Sequence, residues 1–291
     1  MGEIVWRHYD QEQVNQQLNL RARTPEHADH FARWAEEGRR VRAEFPGARL
    51  DLQYGSTPPE ALDYFPAATP DAPLIVFIHG GYWQSLDKAD FDSFAWAWRE
   101  AGFAYASLNY TLAPAARVPE MVQQVRRALI YLYESSEGLG FDRTRTVVSG
   151  HSAGAHLAVM AGITDWSVHG LPTDFPKAVV SVSGLYELEL LLHSYQQPVL
   201  QIDAAQVAEI SPQRLIGSLP TGSAPALLCA VGSTEPEEFQ EQQKLFLDAW
   251  TARGLSGEGL TLEGDHHFNV VERLGRPGDP LFERMAALAL G

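Results

Sequence analysis

The sequence predicts an α/β fold: a mostly parallel central sheet with helices on both faces, an antiparallel edge on its N-terminal side and a helical extension in front. Three observations predict it. Short apolar runs recur at 74–78, 103–109, 147–148, 177–183 and 226–231, and helical segments at 90–101, 120–134 and 237–253 alternate with them. That rhythm belongs to parallel strands buried on both faces. At 291 residues with 45% hydrophobic side chains, the chain is also long enough to fill one large core as a single main domain.

Residues 1–48 read as a helical N-terminal extension packed on that domain. A helix-prone stretch at 11–20 precedes Pro25, and an amphipathic stretch at 27–45 stops at Pro46-Gly47. Trp34, Val41 and Phe45 recur at helical spacing, so packing is their plain reading and a lid or pocket wall the alternative. The main domain, 49–291, begins where the period changes. Residues 50–54 alternate and 61–65 follow Pro58-Pro59, an antiparallel pair at the sheet edge. The stretch 120–134 then places Met121, Val125, Ala128, Leu129 and Leu132 on one face, as a crossover helix requires. Residues 185–224 are too long for a simple crossover and are expected to cover a pocket. Pro236 is expected as the first residue of the helix after them, and 259–263 as the last strand.

A net charge of −15, from 37 acidic against 22 basic side chains scattered singly or in pairs, leaves no basic stripe and excludes a nucleic-acid partner. Anionic membranes are disfavoured on the same ground. Cys229 stands alone in an apolar strand, which rules out an intramolecular disulfide and predicts a buried, inert thiol. With no basic-then-apolar leader and no apolar run approaching about 20 residues, a cytoplasmic protein is expected.

The chemistry centres on Val147-Val148-Ser149-Gly150-His151-Ser152-Ala153-Gly154, an apolar strand that stops at a glycine, presents one serine and resumes as a helix. Gly150-x-Ser152-x-Gly154 is a nucleophile elbow, in which a strained turn lifts the Ser152 hydroxyl clear of the sheet. Strand and helix nearly touch there, so both flanking positions need a residue without a Cβ.

A serine needs a base to take its proton, and the base needs an acid to hold its tautomer. After the strand ending at Val231-Gly232, the turn Ser233-Thr234-Glu235 carries a carboxylate at the strand's C-terminal end. Glu235 is the preferred acid; Glu237 and Glu238 compete from the following helix, and Asp265 lies too close along the chain to the base. The base follows the last strand at His266-His267, with His267 preferred. Serine, acid, histidine is the order of an α/β-hydrolase fold. His79-Gly80-Gly81-Tyr82-Trp83 follows another apolar strand and supplies the oxyanion loop, with the amides of Gly81, Tyr82 and Ala153 as expected donors. Tyr82, Trp83 and, from the insert, Tyr186 are the expected substrate wall, with packing beneath the loop as the alternative for Tyr82 and Trp83. His79 and His151 have no metal-ligand set around them, so no metal or cofactor is implied.

On these motifs, together with Asn109-Tyr110-Thr111-Leu112-Ala113-Pro114, Ser183-Gly184-Leu185-Tyr186 and His267-Phe268, the chain resembles the kynurenine formamidase (arylformamidase) group of α/β hydrolases over roughly residues 50–275. The resemblance implies a serine hydrolase that removes a formyl group from an aryl amide, with Ser152, Glu235 and His267 as its triad. The implied partner is a small aromatic amide or ester. A homodimer is common among such enzymes, though no stretch here specifies one. A carboxylesterase would keep every catalytic role and change the substrate. A hydrolase scaffold that binds without turnover is the remaining reading.

Overall fold

The structure, a computed structural model, describes residues 2–219 and 224–291. The chain opens with a hairpin of β1 (Ile4–Trp6) and β2 (Tyr9–Asp10), followed by α1 (Gln11–Leu18), α2 (Leu20–Arg23) and α3 (His27–Glu44). Strands of three and two residues carry too little pattern to be legible in sequence. Asp10 starts α1 with a reciprocal capping box to Gln13, and Asn19 caps α2 in turn. Buried Trp34, Val41 and Phe45 seat α3 and the residue after it on the sheet domain.

β3 (Arg49–Gln53) and β4 (Ala61–Phe65) form the antiparallel edge, with Leu62 of β4 facing Leu108 at the end of the sixth strand. β5 (Ala72–Ile78) is buried throughout. After a 3₁₀ turn at Lys88–Phe94 come α4 (Ala95–Glu100), β6 (Ala104–Leu108), α5 (Val118–Leu139), β7 (Phe141–His151), α6 (Ala153–Gly162) and β8 (Ala178–Val182). The single helix expected at 90–101 is therefore two pieces. Phe91 and Phe94 enter the core three residues apart, while Lys88 and Asp92 turn inward, a spacing that favours the tighter helix. α5 runs past the expected end at 134 to Gly140, whose left-handed backbone caps it.

That inward turn ties the extension to the sheet. Arg42 of α3 pairs with buried Asp63 and, at 3.2 Å, with Asp92, and Lys88 Nζ reaches Asp63 at 2.8 Å and Asp51 at 2.7 Å. Burial pushes the Asp92 carboxyl up to about 7.

The described part of the expected insert holds α7 (Gln197–Leu200), α8 (Ala204–Ile210), α9 (Pro212–Leu215) and two 3₁₀ turns. Its residues 220–223 lie outside the described residues. β9 (Ala226–Gly232), α10 (Glu237–Ala252), β10 (Gly257–Leu262) and α11 (Pro280–Leu290) complete the chain. Pro236 caps α10 from outside rather than opening it. The strands assemble in the order β10-β9-β8-β7-β5-β6-β4-β3, parallel from β10 through β6. That order puts the end of β5 beside the end of β7 (Ile78 opposite Gly150) and the end of β9 beside the end of β10 (Gly232 opposite Leu262). Four loops from distant parts of the sequence thus meet at one carboxyl edge, where open α/β sheets bind their ligands.

Candidate active site

Ser152 follows the last residue of β7 with φ 57° and ψ −120°, a strained backbone held by its amide bonding Val182 O at 2.8 Å and its carbonyl accepting from His156 N at 3.1 Å. The turn leaves no room for side chains on either flank. A Cβ on Gly150 would lie 2.2 Å from Gly154 O, and one on Gly154 would lie 2.0 Å from Ile78 O. Close approach of α6 to the ends of β5 and β7 aims the helix N-terminus at the space above Ser152.

The loop after β5 reaches the same space. His79 is buried beneath it, stacked on Tyr110 with centroids 4.6 Å apart, its Nε2 2.9 Å from Asn109 Oδ1. Tyr110 returns its hydroxyl to His79 O at 3.0 Å, and Ala113 N bonds Trp83 O at 2.7 Å, so the segment 109–113 cradles the loop. The amides of Gly81, Tyr82 and Ala153 have no acceptor among the described residues. Unpartnered amides at a helix N-terminus and a glycine-rich turn are what a developing oxyanion needs.

His267 lies on the loop after β10, and its Nδ1 is 2.6 Å from Glu235 Oε2. The other carboxylate oxygen, Oε1, accepts from Gly232 N at 2.8 Å and from the Ser183 hydroxyl at the end of β8. Glu235 is therefore held on both oxygens and orients one ring nitrogen, leaving Nε2 of His267 for the pocket. Ser152 and His267 line one pocket, and no direct hydrogen bond joins the Ser152 hydroxyl to His267. In such sites that contact often closes only around bound substrate.

The competing acids lie elsewhere. Glu238 bonds Trp6 and Gln242, and Asp265 pairs with Arg273. His266 turns outward, its Nδ1 accepting the Phe268 amide at 3.1 Å. The neighbour that sequence reasoning left aside is His151. It also lines the pocket, its Nε2 donates to His267 O at 2.8 Å, and burial holds its imidazole well below the usual value, with the His267 ring adding to the effect. His151 is thus a neutral ring that fixes the backbone of His267.

The pocket above Ser152 is a cavity of about 30 Å³ walled by Leu20, Phe31, Trp34, Leu86 and Phe268. α2 and α3 build that wall, with Phe31 edge-on to Phe268 at 5.5 Å. Among the described residues none of 185–219 lines it, and Leu20, Arg21, Phe31 and Trp34 of the N-terminal extension do. Tyr82 lines it, and its hydroxyl bonds Leu18 O, fastening the loop after β5 to the end of α1. Trp83 and Tyr186 do not reach it. Trp83 is fully buried beneath the loop, edge-on to His156 at 5.2 Å. Tyr186 stacks on Phe246 at 4.4 Å and bonds Ser181 Oγ at 2.8 Å, a core position beneath the sheet end. A larger groove of about 1150 Å³ lies at the opposite strand ends, beside Lys177, Ala226 and Gly257, and contains none of these groups.

Sheet order, elbow and loop placement define an α/β hydrolase. The comparisons agree. Residues 62–217 match the BD-FAE family. Kynurenine formamidase of Danio rerio is 32% identical over 231 residues, covering 77% of this chain and 76% of that protein. Esterase LipC of Mycobacterium tuberculosis is also 32% identical, over 77% of this chain and 60% of its own. The crystal structure of a candidate thioesterase from Silicibacter sp. superimposes with a TM-score of 0.81 at 27% identity, covering 96% of this chain and 99% of that one. The chain belongs to the kynurenine formamidase family of α/β hydrolases, which is related to esterases.

Proposed function

We propose that this hydrolase cleaves an aryl formamide of the N-formylkynurenine type by transferring the formyl group to Ser152 and then to water. The observation that carries the reading is the Glu235–His267 pair set in the same aromatic-walled pocket as the elbow serine. Ser152 Oγ attacks the formyl carbon as its proton passes to Nε2 of His267, and the carbonyl oxygen, now anionic, settles on the amides of Gly81, Tyr82 and Ala153. The C–N bond breaks as His267 returns that proton to the aniline nitrogen, releasing the arylamine and leaving a formyl ester on Ser152. Water repeats the cycle with His267 as base, and formate departs. Glu235 keeps the proton on Nδ1 throughout and stabilises the imidazolium.

Phe31, Trp34, Tyr82 and Phe268, in the same pocket as Ser152, offer faces to an aromatic leaving group. The activity is placed in the cytoplasm, where a lone buried thiol such as Cys229 stays reduced. The same machinery serves the second reading, a carboxylesterase on small or aromatic esters, which the relatedness to an esterase favours. Specificity constants for N-formylkynurenine and for phenyl acetate decide between them. A preference for the formamide supports the first reading, and a preference of about a hundredfold or more for the ester overturns it.

A further inference from the structure

The pocket wall carries one arginine and no lysine. Arg21, on α2, lines the pocket with Ser152 and His267. Its guanidinium is held by two contacts, a hydrogen bond from Nη2 to Ser85 Oγ at 3.0 Å and a position over the Phe31 ring 5.4 Å from its centroid. Ser85 Oγ donates in turn to Gly81 O at 3.0 Å, so the same hydroxyl anchors both the oxyanion loop and the arginine.

What Arg21 lacks is a carboxylate. Among the described residues no acid pairs with it, and because Arg21 is exposed at the pocket mouth its remaining N–H donors face water. Arg33 pairs with Glu272 and Arg273 with both Asp265 and Asp279, while Arg23 on the same helix also lacks an acid among the described residues but does not line the pocket. In a chain with 37 acidic side chains and a net charge of −15, a guanidinium steered by a hydroxyl and an aromatic face, yet left without an anion, has donors to offer a ligand.

We infer that Arg21 is a specificity residue that takes a carboxylate on the distal side of the substrate, so that the enzyme selects aryl formamides bearing a carboxylate over those without one. The inference rests on the aryl-formamidase reading. A planar fork of N–H donors matches a carboxylate's two oxygens, which an ammonium of similar reach does not reproduce. Placed at the pocket mouth, the contact fixes the far end of the substrate while Ser152 meets the formyl carbon, and it contributes to binding more than to chemistry.

The test compares N-formylkynurenine, which carries an amino-acid carboxylate, with 2-formamidoacetophenone, which keeps the aryl ketone and formamide but has no charge. The readout is the ratio of their kcat/KM values in the wild type, Arg21→Met and Arg21→Lys. The ratio is expected to fall about tenfold in Arg21→Met, through KM for the charged substrate, and to recover in part in Arg21→Lys. Added salt should raise KM for the charged substrate in the wild type and, less strongly, in Arg21→Lys, but not in Arg21→Met. An unchanged ratio in Arg21→Met overturns the inference and leaves Arg21 as roof packing. Turnover of neither formamide by the wild type, with an aryl ester still cleaved, overturns the formamidase reading itself and the inference with it.

Discussion

Glu235 Oε2 sits 2.6 Å from His267 Nδ1, while its partner oxygen is pinned by Gly232 N and the Ser183 hydroxyl. The acid arrives from the end of β9, the base from the end of β10 and the pin from the end of β8. Only the adjacency of those strands brings them together. Glu235→Gln keeps the size of the side chain and loses the charge that fixes the imidazole tautomer. It should lower kcat by about a thousandfold or more with little change in unfolding midpoint, checked by steady-state kinetics beside thermal denaturation. Ser183→Ala, which frees one carboxylate oxygen, should cost about tenfold.

The elbow tolerates no added methyl. Gly154→Ala would set a Cβ 2.0 Å from Ile78 O and 2.5 Å from His79 O, both backbone atoms that cannot swing away. The variant should lose about 2 kcal/mol of stability or more, and activity with it, because β5 and the oxyanion loop must shift. Urea denaturation at neutral pH measures the first effect. A stable, fully active Gly154→Ala would mean that strand and helix lie farther apart than described.

Much of this arrangement was legible in the sequence, for identifiable reasons. Uncharged apolar runs marked β5, β8 and β9, and Gly150 and Gly154 marked the elbow because backbone contact leaves no other choice there. Side-chain direction in loops was not legible. Trp83 follows Tyr82 in the same motif with nearly the same positive φ, 56° against 52°, yet one ring goes beneath the loop and the other into the pocket. The roof was legible only as an alternative, a pocket-wall role for Trp34, because the amphipathic pattern of 27–45 specifies a packed face but not that Phe31 meets Phe268. Ser183 was legible only within the motif Ser183-Gly184-Leu185-Tyr186, with no role attached to its hydroxyl.

The buried positions of Trp83 and Tyr186 predict structural effects rather than substrate effects. Tyr186→Phe removes the bond to Ser181 Oγ and should cost about 1 kcal/mol while KM stays within about twofold. Trp83→Phe should likewise lower the unfolding midpoint and spare KM. A KM change of about tenfold in either would place that ring against substrate after all.

His156 gives a pH signature. It is fully buried on α6 with Nε2 2.7 Å from Ile210 O, and burial lowers its imidazole from 6.5 to about 4. The folded chain keeps it neutral while the unfolded chain takes up a proton near its ordinary value. Its contribution is thus complete above about pH 6.5 and is lost as the pH falls towards 4, about 3 kcal/mol across the whole window. Between pH 7 and pH 5 the loss should be about 2 kcal/mol, and His156→Gln should flatten that slope in urea titrations. An equal slope in the variant would contradict burial as the cause.

The central claim is that Ser152 carries the acyl group, and covalent labelling tests it most directly. A fluorophosphonate should add one mass equivalent to the protein, located by peptide mass spectrometry on the peptide containing Ser152, with loss of hydrolysis in step and neither event in Ser152→Ala. Label on another residue accompanied by inactivation, or turnover retained in Ser152→Ala, would contradict it.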